Sequence, residues 1–190
     1  MVEATYVIDE ETLRDRPADE LAARARVTEL EAIGPDGDLE RVPLLRMLGE
    51  LDQAETLGWQ VLERQGGPGS KDALMMTGVL PIEAVASAIR LAHVLHWSED
   101  YEAADDLYSA ALRSLDNARM NADDRVPSLE AFTHQHLGKM RFDQGKVAIA
   151  QLHFEQALRI REEEGAPEDQ LASSRQALAV TKSLLDTGGA

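Results

Sequence analysis

The chain contains no cysteine, which excludes disulfides and thiolate metal sites and is compatible with a reducing compartment. Aromatic residues make up only 4% of it, a share typical of alanine- and leucine-rich helical proteins. No apolar run approaches the roughly twenty residues that a membrane-spanning helix needs. Met1-Val2-Glu3-Ala4 lacks the basic-then-apolar signature of a secretory signal. A Lys/Arg stripe is also missing: 19 basic side chains stand against 35 acidic ones, for a net charge of −16. Residues 1 to 40 alone carry twelve Asp or Glu against four Arg. Such a balance argues against nucleic acid and against anionic membrane surfaces as partners. The acidity itself is accounted for by solubility and a solvated outer face, and the expected location is the cytoplasm.

What the chain does have is a self-match. Leu91-Ala92-His93-Val94-Leu95-His96-Trp97-Ser98-Glu99-Asp100-Tyr101-Glu102-Ala103-Ala104 aligns with Leu137 to Ala150, 46 residues further on. Beyond it Tyr108 falls over Phe154, and Ala111-Leu112-Arg113 over Ala157-Leu158-Arg159. Each copy reads as an apolar-periodic helix, a short polar break, and a second helix built from small residues and one aromatic. A weaker third copy lies upstream in Leu48-Gly49-Glu50-Leu51-Asp52-Gln53-Ala54-Glu55, followed by Gly58 and Val61-Leu62. Repetition of this kind points to stacked supersecondary units. A helix pair exposes an apolar stripe that it cannot bury alone, so its neighbours must cover it.

These residues resemble the tetratricopeptide repeat family, in the longer-period variety found in kinesin-light-chain-like and bacterial regulator arrays. The marks are Leu137-Gly138, Gly145-Lys146-Val147, Ala150, Phe154 and Ala157-Leu158 in the last unit. In the middle unit they are Leu91-Ala92, Tyr101, Ala104, Tyr108 and Ala111-Leu112. That unit departs by having Glu99 at the turn glycine. The upstream unit departs by its irregular spacing and by Pro43, which should cut its first helix short. The resemblance covers roughly residues 38 to 165. It implies an all-α fold, a right-handed stack of antiparallel helix pairs with extra N-terminal and C-terminal capping helices.

Along the chain, β-prone Thr5-Tyr6-Val7-Ile8 and the acidic run after it form an arm, loose or docked on the body. Helical periodicity runs from Pro17 to Ile33 and stops at Gly34-Pro35-Asp36-Gly37. Within a single domain of residues 1–190, residues 1–37 are the arm and first helix. Residues 38–65 are the degenerate unit, 81–117 and 126–164 the two clear ones, and 168–186 the closing helix. Gly66-Gly67-Pro68-Gly69-Ser70-Lys71 reads as a linker, since it lacks the Gly-Lys-Ser/Thr ending of a phosphate loop and no strand precedes it. Asp72–Leu80 fits a helical turn or a loop equally well.

His93 and His96 share one side of a helix and raise the question of a metal, but no Glu-x-x-His context accompanies them. His134 and His136 diverge around theirs. No metal or cofactor is expected, and no catalytic arrangement emerges from spacing. The resemblance implies instead that the first helix of each unit lines a peptide-binding groove. Carried onto this sequence, the groove residues are Ile89, His93, His96 and Trp97 in the middle unit. In the last unit they are Phe132, Gln135, Lys139, Phe142 and Asp143, and Arg46 and Met47 join from the degenerate unit. That surface suits an apolar or extended peptide. A carboxylate clamp is visible only in Arg46, Arg90 and Lys139. An alternative is that Trp97, Phe132 and Phe142 are covered by neighbouring helices or by the N-terminal segment. The expected function is a non-catalytic protein- or peptide-binding scaffold with a protein partner, and a homo-oligomer is compatible with it. A second reading is an acidic inhibitor or immunity-type protein that neutralises a basic enzyme.

Overall fold

A computed structural model of the protein describes residues 6–67, Leu74 and residues 78–187. Met1–Ala4, on which the absence of a secretory signature is read, most of the Gly66–Lys71 linker and of Asp72–Leu80, and residues 188–190 lie outside the described residues. Among those described, the chain is all-helical apart from one short hairpin. Strands β1 (Tyr6–Ile8) and β2 (Asp15–Pro17) precede α1 (Glu20–Ile33), a single 3-10 turn (Pro35–Gly37), α2 (Asp38–Met47) and α3 (Leu51–Gly66). Then come α4 (Ile82–Trp97), α5 (Tyr101–Arg119), α6 (Val126–Asp143), α7 (Val147–Glu163) and α8 (Glu168–Thr187). No described helix is long and apolar enough to cross a membrane.

Local chemistry sets the boundaries. β2 pairs antiparallel with β1, with Ile8 opposite Asp15 and Tyr6 opposite Pro17, so the first helix begins at Glu20 and not at Pro17. Asp19 caps it, accepting from the Ala22 N–H at 3.0 Å. Gly34, at φ +82°, ends it. Pro81 immediately precedes α4, and Pro127 sits in the first turn of α6, where its missing N–H is not needed. Pro43 behaves differently from the expectation, because α2 runs through it. It can do so because only the single turn before Pro43 loses a hydrogen bond, and α2 is only ten residues long.

The same turn follows α2, α4 and α6, and again α7 at Gly165, where φ is +64° and the Ala166 N–H reaches Arg161 O at 2.9 Å. Gly49, Glu99 and Gly145 adopt φ of +78°, +62° and +73°. The N–H of the following residue reaches back to the preceding helix in each case: Glu50 to Leu45 O at 2.9 Å, Asp100 to Leu95 O at 3.0 Å, and Lys146 to Arg141 O at 2.9 Å. This is the Schellman ending, which satisfies the last carbonyls of one helix while aiming the chain into the next. Glu99 therefore takes the left-handed conformation of the glycines it replaces, at a local cost of about 1–2 kcal/mol.

The chain divides into two compact units, Met1–Ile8 with Asp15–Ser114, and Asp9–Arg14 with Leu115–Ala190. In the first, α1 packs on α2, α2 on α3 and α4, α3 on α4, and β2 on α2. Val42, Leu45, Ala54, Val61 and Val94 form a core cluster there. In the second, α7 packs between α6 and α8. Equivalent positions of the repeat are equally buried: Ala104, Tyr108 and Ala111, like Ala150, Phe154 and Ala157, are 0% exposed. Ala104→Leu and Ala150→Leu are each expected to overfill these contacts and cost roughly 1–3 kcal/mol in denaturant unfolding. An unchanged midpoint for both would show that neither alanine sits at a tight interface.

Candidate functional site

In the first unit, the site is built on the last turns of α2 and α4. His93, His96 and Trp97 fall at i, i+3 and i+4 and so share one face of α4. The Trp97 Nε1–H donates to His93 Nε2 at 3.2 Å. An indole can only donate, so this bond requires His93 Nε2 to be the accepting, unprotonated nitrogen. His93 and His96 stack with ring centres 5.5 Å apart. From α2, the Arg46 guanidinium lies over the Trp97 ring, 4.4 Å from its centre, a cation–π contact. Arg46 Nη2 also donates to Asp15 Oδ2 of β2 at 2.9 Å.

Arg46, Asp15 and Tyr108 are all buried. Burial lowers the Arg46 pKa from its ordinary value, and Asp15 opposes that. Burial drives the Tyr108 phenol far above its usual range, with Arg46 pulling the other way. Arg46 Nη1 and the Tyr108 hydroxyl are both buried without a hydrogen-bond partner.

In the second unit, the loop between the strands closes on itself. Asp9 Oδ1 accepts from the backbone N–H of Glu11 and Thr12 and from Thr12 Oγ1. Leu13 is buried at φ +56°. Arg14 Nη2 and Nε donate to Asp143 Oδ2 of α6 at 2.8 and 3.2 Å. Phe132 meets His136 edge to face at 4.4 Å. Gln135 turns toward the other helices. Its Oε1 accepts from Ser174 Oγ at 2.7 Å and Arg161 Nη1 at 3.2 Å, and Arg161 Nη1 also donates to Ser174 Oγ and the Gln170 carbonyl.

Of the residues expected to line a groove, Ile89, His93, His96, Gln135 and Lys139 are buried. Trp97, Phe132, Phe142, Asp143 and Met47 are half-buried. The structure gathers His93, His96, Trp97 and Arg46 into one cluster, places Asp143 against Arg14, and assigns Gln135 to an interior network. Arg46 does hold a carboxylate, that of the chain's own Asp15, although the sequence reads this surface as unsuited to one. Asp15 and Arg14 are the functional candidates that the sequence does not single out. The one available signal is the Arg14-Asp15-Arg16 triplet beside a β-prone run.

Among the described residues no group of three or more His, Asp or Glu is placed to hold a metal ion. His134 Nδ1 lies 3.0 Å from His153 Nδ1, so one ring donates and the other accepts, and two charged rings would lose the bond. Burial lowers the His134 pKa below its ordinary 6.5; Glu130 opposes this and Arg159 adds to it. The folded state then binds fewer protons than the unfolded state below pH 6.5. Stability is full above that value and falls as the pH drops through it toward the depressed folded pKa. Urea titrations between pH 7.5 and 5 should show this loss, and His134→Gln should flatten it.

Comparison with protein-family models, with curated proteins and with solved structures finds no match. The functional reading therefore rests on residues and geometry.

Proposed function

We propose that this chain is a non-catalytic protein- or peptide-binding module of the cytoplasm. In this reading it is a tetratricopeptide-like right-handed stack of antiparallel helix pairs, with α1 and α8 as terminal helices. The observation that supports it most is one helix-ending turn that recurs at Gly49, Glu99, Gly145 and Gly165. Buried alanines and an aromatic at matching positions of the last two units add to it. In each unit the first helix of a pair carries half-buried aromatics that would meet a partner, Trp97 in the one and Phe132 and Phe142 in the other. Aromatic anchors of this kind contribute most of the energy of a peptide contact. A net charge of −16 favours a second reading, capture of a basic protein through the acidic exterior.

A partner recovered from the native host by pull-down separates the two. Binding through the aromatic face is expected to weaken tenfold or more with Trp97→Ala or Phe142→Ala and to depend only mildly on salt. Affinity that ignored both substitutions and collapsed between 50 and 500 mM salt would replace this reading with the second, because exposed charges are screened within about 8 Å at physiological ionic strength.

A further inference from the structure

The self-match sets His134 of α6 over Ala88 and His153 of α7 over Leu107, residues that are 0% and 1% exposed in the first unit. Helix packing at these positions therefore needs no polar group, yet the last pair carries two half-buried imidazoles there. Their Nδ1 atoms lie 3.0 Å apart and their ring centres 5.3 Å apart, so the two nitrogens point at each other. One nitrogen donates and the other accepts, and the donor ring can be neutral or charged without losing the bond. A charged donor makes it shorter and stronger. Only when both rings are protonated do two N–H groups and two positive charges meet.

The surroundings favour one charge on the pair over two. Burial is the largest influence on His134 and holds its pKa below the ordinary 6.5; Glu130 of α6 opposes this and Arg159 of α7 adds to it. Glu130 is bound to Arg119 of α5 at 2.5 Å, and Arg159 to Glu163 of α7 at 2.8 Å, so Glu130 is not a free counter-ion for a second proton. Among the described residues, no charged group of α8 acts on His134.

We propose that His134 and His153 form a one-proton latch between α6 and α7. A hydrogen bond with no net charge or a single charge ties the two helices, and uptake of a second proton breaks the tie and loosens this helix pair. The backbones are close where the latch acts: Gly138, one turn from His134, lies against the ring of Phe154, the neighbour of His153. Repulsion between the imidazoles therefore works directly against that contact. The latch is independent of what the module binds, and it makes α6, which carries Phe132 and Phe142, sensitive to acid.

The test uses the full chain. NMR titration of the ring protons should show two separated steps, each seen at both His134 and His153, because the pair and not either residue takes up the protons. His153→Gln gives His134 an uncharged acceptor, and its ring should then titrate in one step. Amide exchange, corrected for its intrinsic pH dependence, should accelerate at least fivefold in the facing turns of α6 and α7 between pH 7.5 and 5. In His153→Gln, and in the double variant His134→Ala/His153→Leu that installs the residues of the preceding repeat, the acceleration should fall below twofold. Independent single steps at the two rings of the unsubstituted protein overturn the shared proton and with it the latch. Exchange that accelerates equally in all three proteins, or in none of them, also overturns the latch, and an equal acceleration assigns the acid sensitivity to other groups such as His136. If neither variant folds, the ring titration and exchange of the unsubstituted protein decide.

Discussion

Phe154→Ala is expected to destabilise the protein by about 3–5 kcal/mol, the range for emptying a fully buried aromatic site. Phe154 is 0% exposed and lies directly over the helix-α6 backbone at Gly138. A Cβ built on Gly138 would stand 2.6 Å from Phe154 Cε1 and 2.8 Å from Cδ1. Gly138→Ala should therefore cost roughly 1–3 kcal/mol by itself. In a Phe154→Leu background much of that penalty should vanish, because the ring that the methyl group strikes is gone. A double-mutant cycle by urea unfolding reads the coupling directly, and contacting residues typically couple by about 0.5–3 kcal/mol. Strict additivity would mean that the ring and the glycine do not meet. An analogous contact occurs in the first unit, where a Cβ on Gly58 would lie 2.8 Å from Leu91 Cδ1 and 3.4 Å from Leu91 Cβ, a side chain that is 0% exposed.

Gln135→Leu should behave as a scaffold substitution, with a stability loss of about 2–4 kcal/mol and no direct effect on ligand contacts. The side chain accepts from Ser174 Oγ and from Arg161 Nη1, all three residues being buried. Leucine removes an acceptor from a buried guanidinium, and hydrogen bonds to charged groups are worth about 1.5–3 kcal/mol each. Network members also reinforce one another, so a single deletion loses more than one bond. Gln135→Glu keeps the acceptor and should recover most of the loss. Melting curves for the two variants check this. A Gln135→Leu protein of unchanged stability whose partner binding fell would return Gln135 to the binding face, where its place in the repeat puts it.

Gln135 shows why a repeat pattern reads the fold better than the site. Spacing along α6 puts Gln135 on the same helix as Phe132, Lys139 and Phe142, but not which neighbour each one meets. Arg161 and Ser174 lie 26 and 39 residues away, and nothing in the intervening sequence marks them as its partners. Arg46 is a second case. As a lone cation near a helix end it is legible, whereas its ion pair with Asp15 joins residues 31 apart through a hairpin whose second strand ends at Pro17, where helical periodicity begins in the sequence. Glu99 is a third: the self-match places it at the turn glycine, but only the backbone shows that it takes the left-handed conformation there, at φ +62°.

The amino-acid sequence by itself determined most helix boundaries, though not the start of α1 or the passage of α2 through Pro43, because helical periodicity and the placement of Gly and Pro act over a few residues. The self-match from Leu91 to Leu137 likewise paired Ala104 with Ala150 and Tyr108 with Phe154, and each pair is buried alike. Tertiary structure alone decided which polar side chains of those helices stay accessible. Exposure depends on what arrives from distant parts of the chain, and here a strand of three residues carries a carboxylate onto Arg46. A buried guanidinium holds such a partner because leaving its charge unpaired away from water costs more than ordering the strand that supplies it.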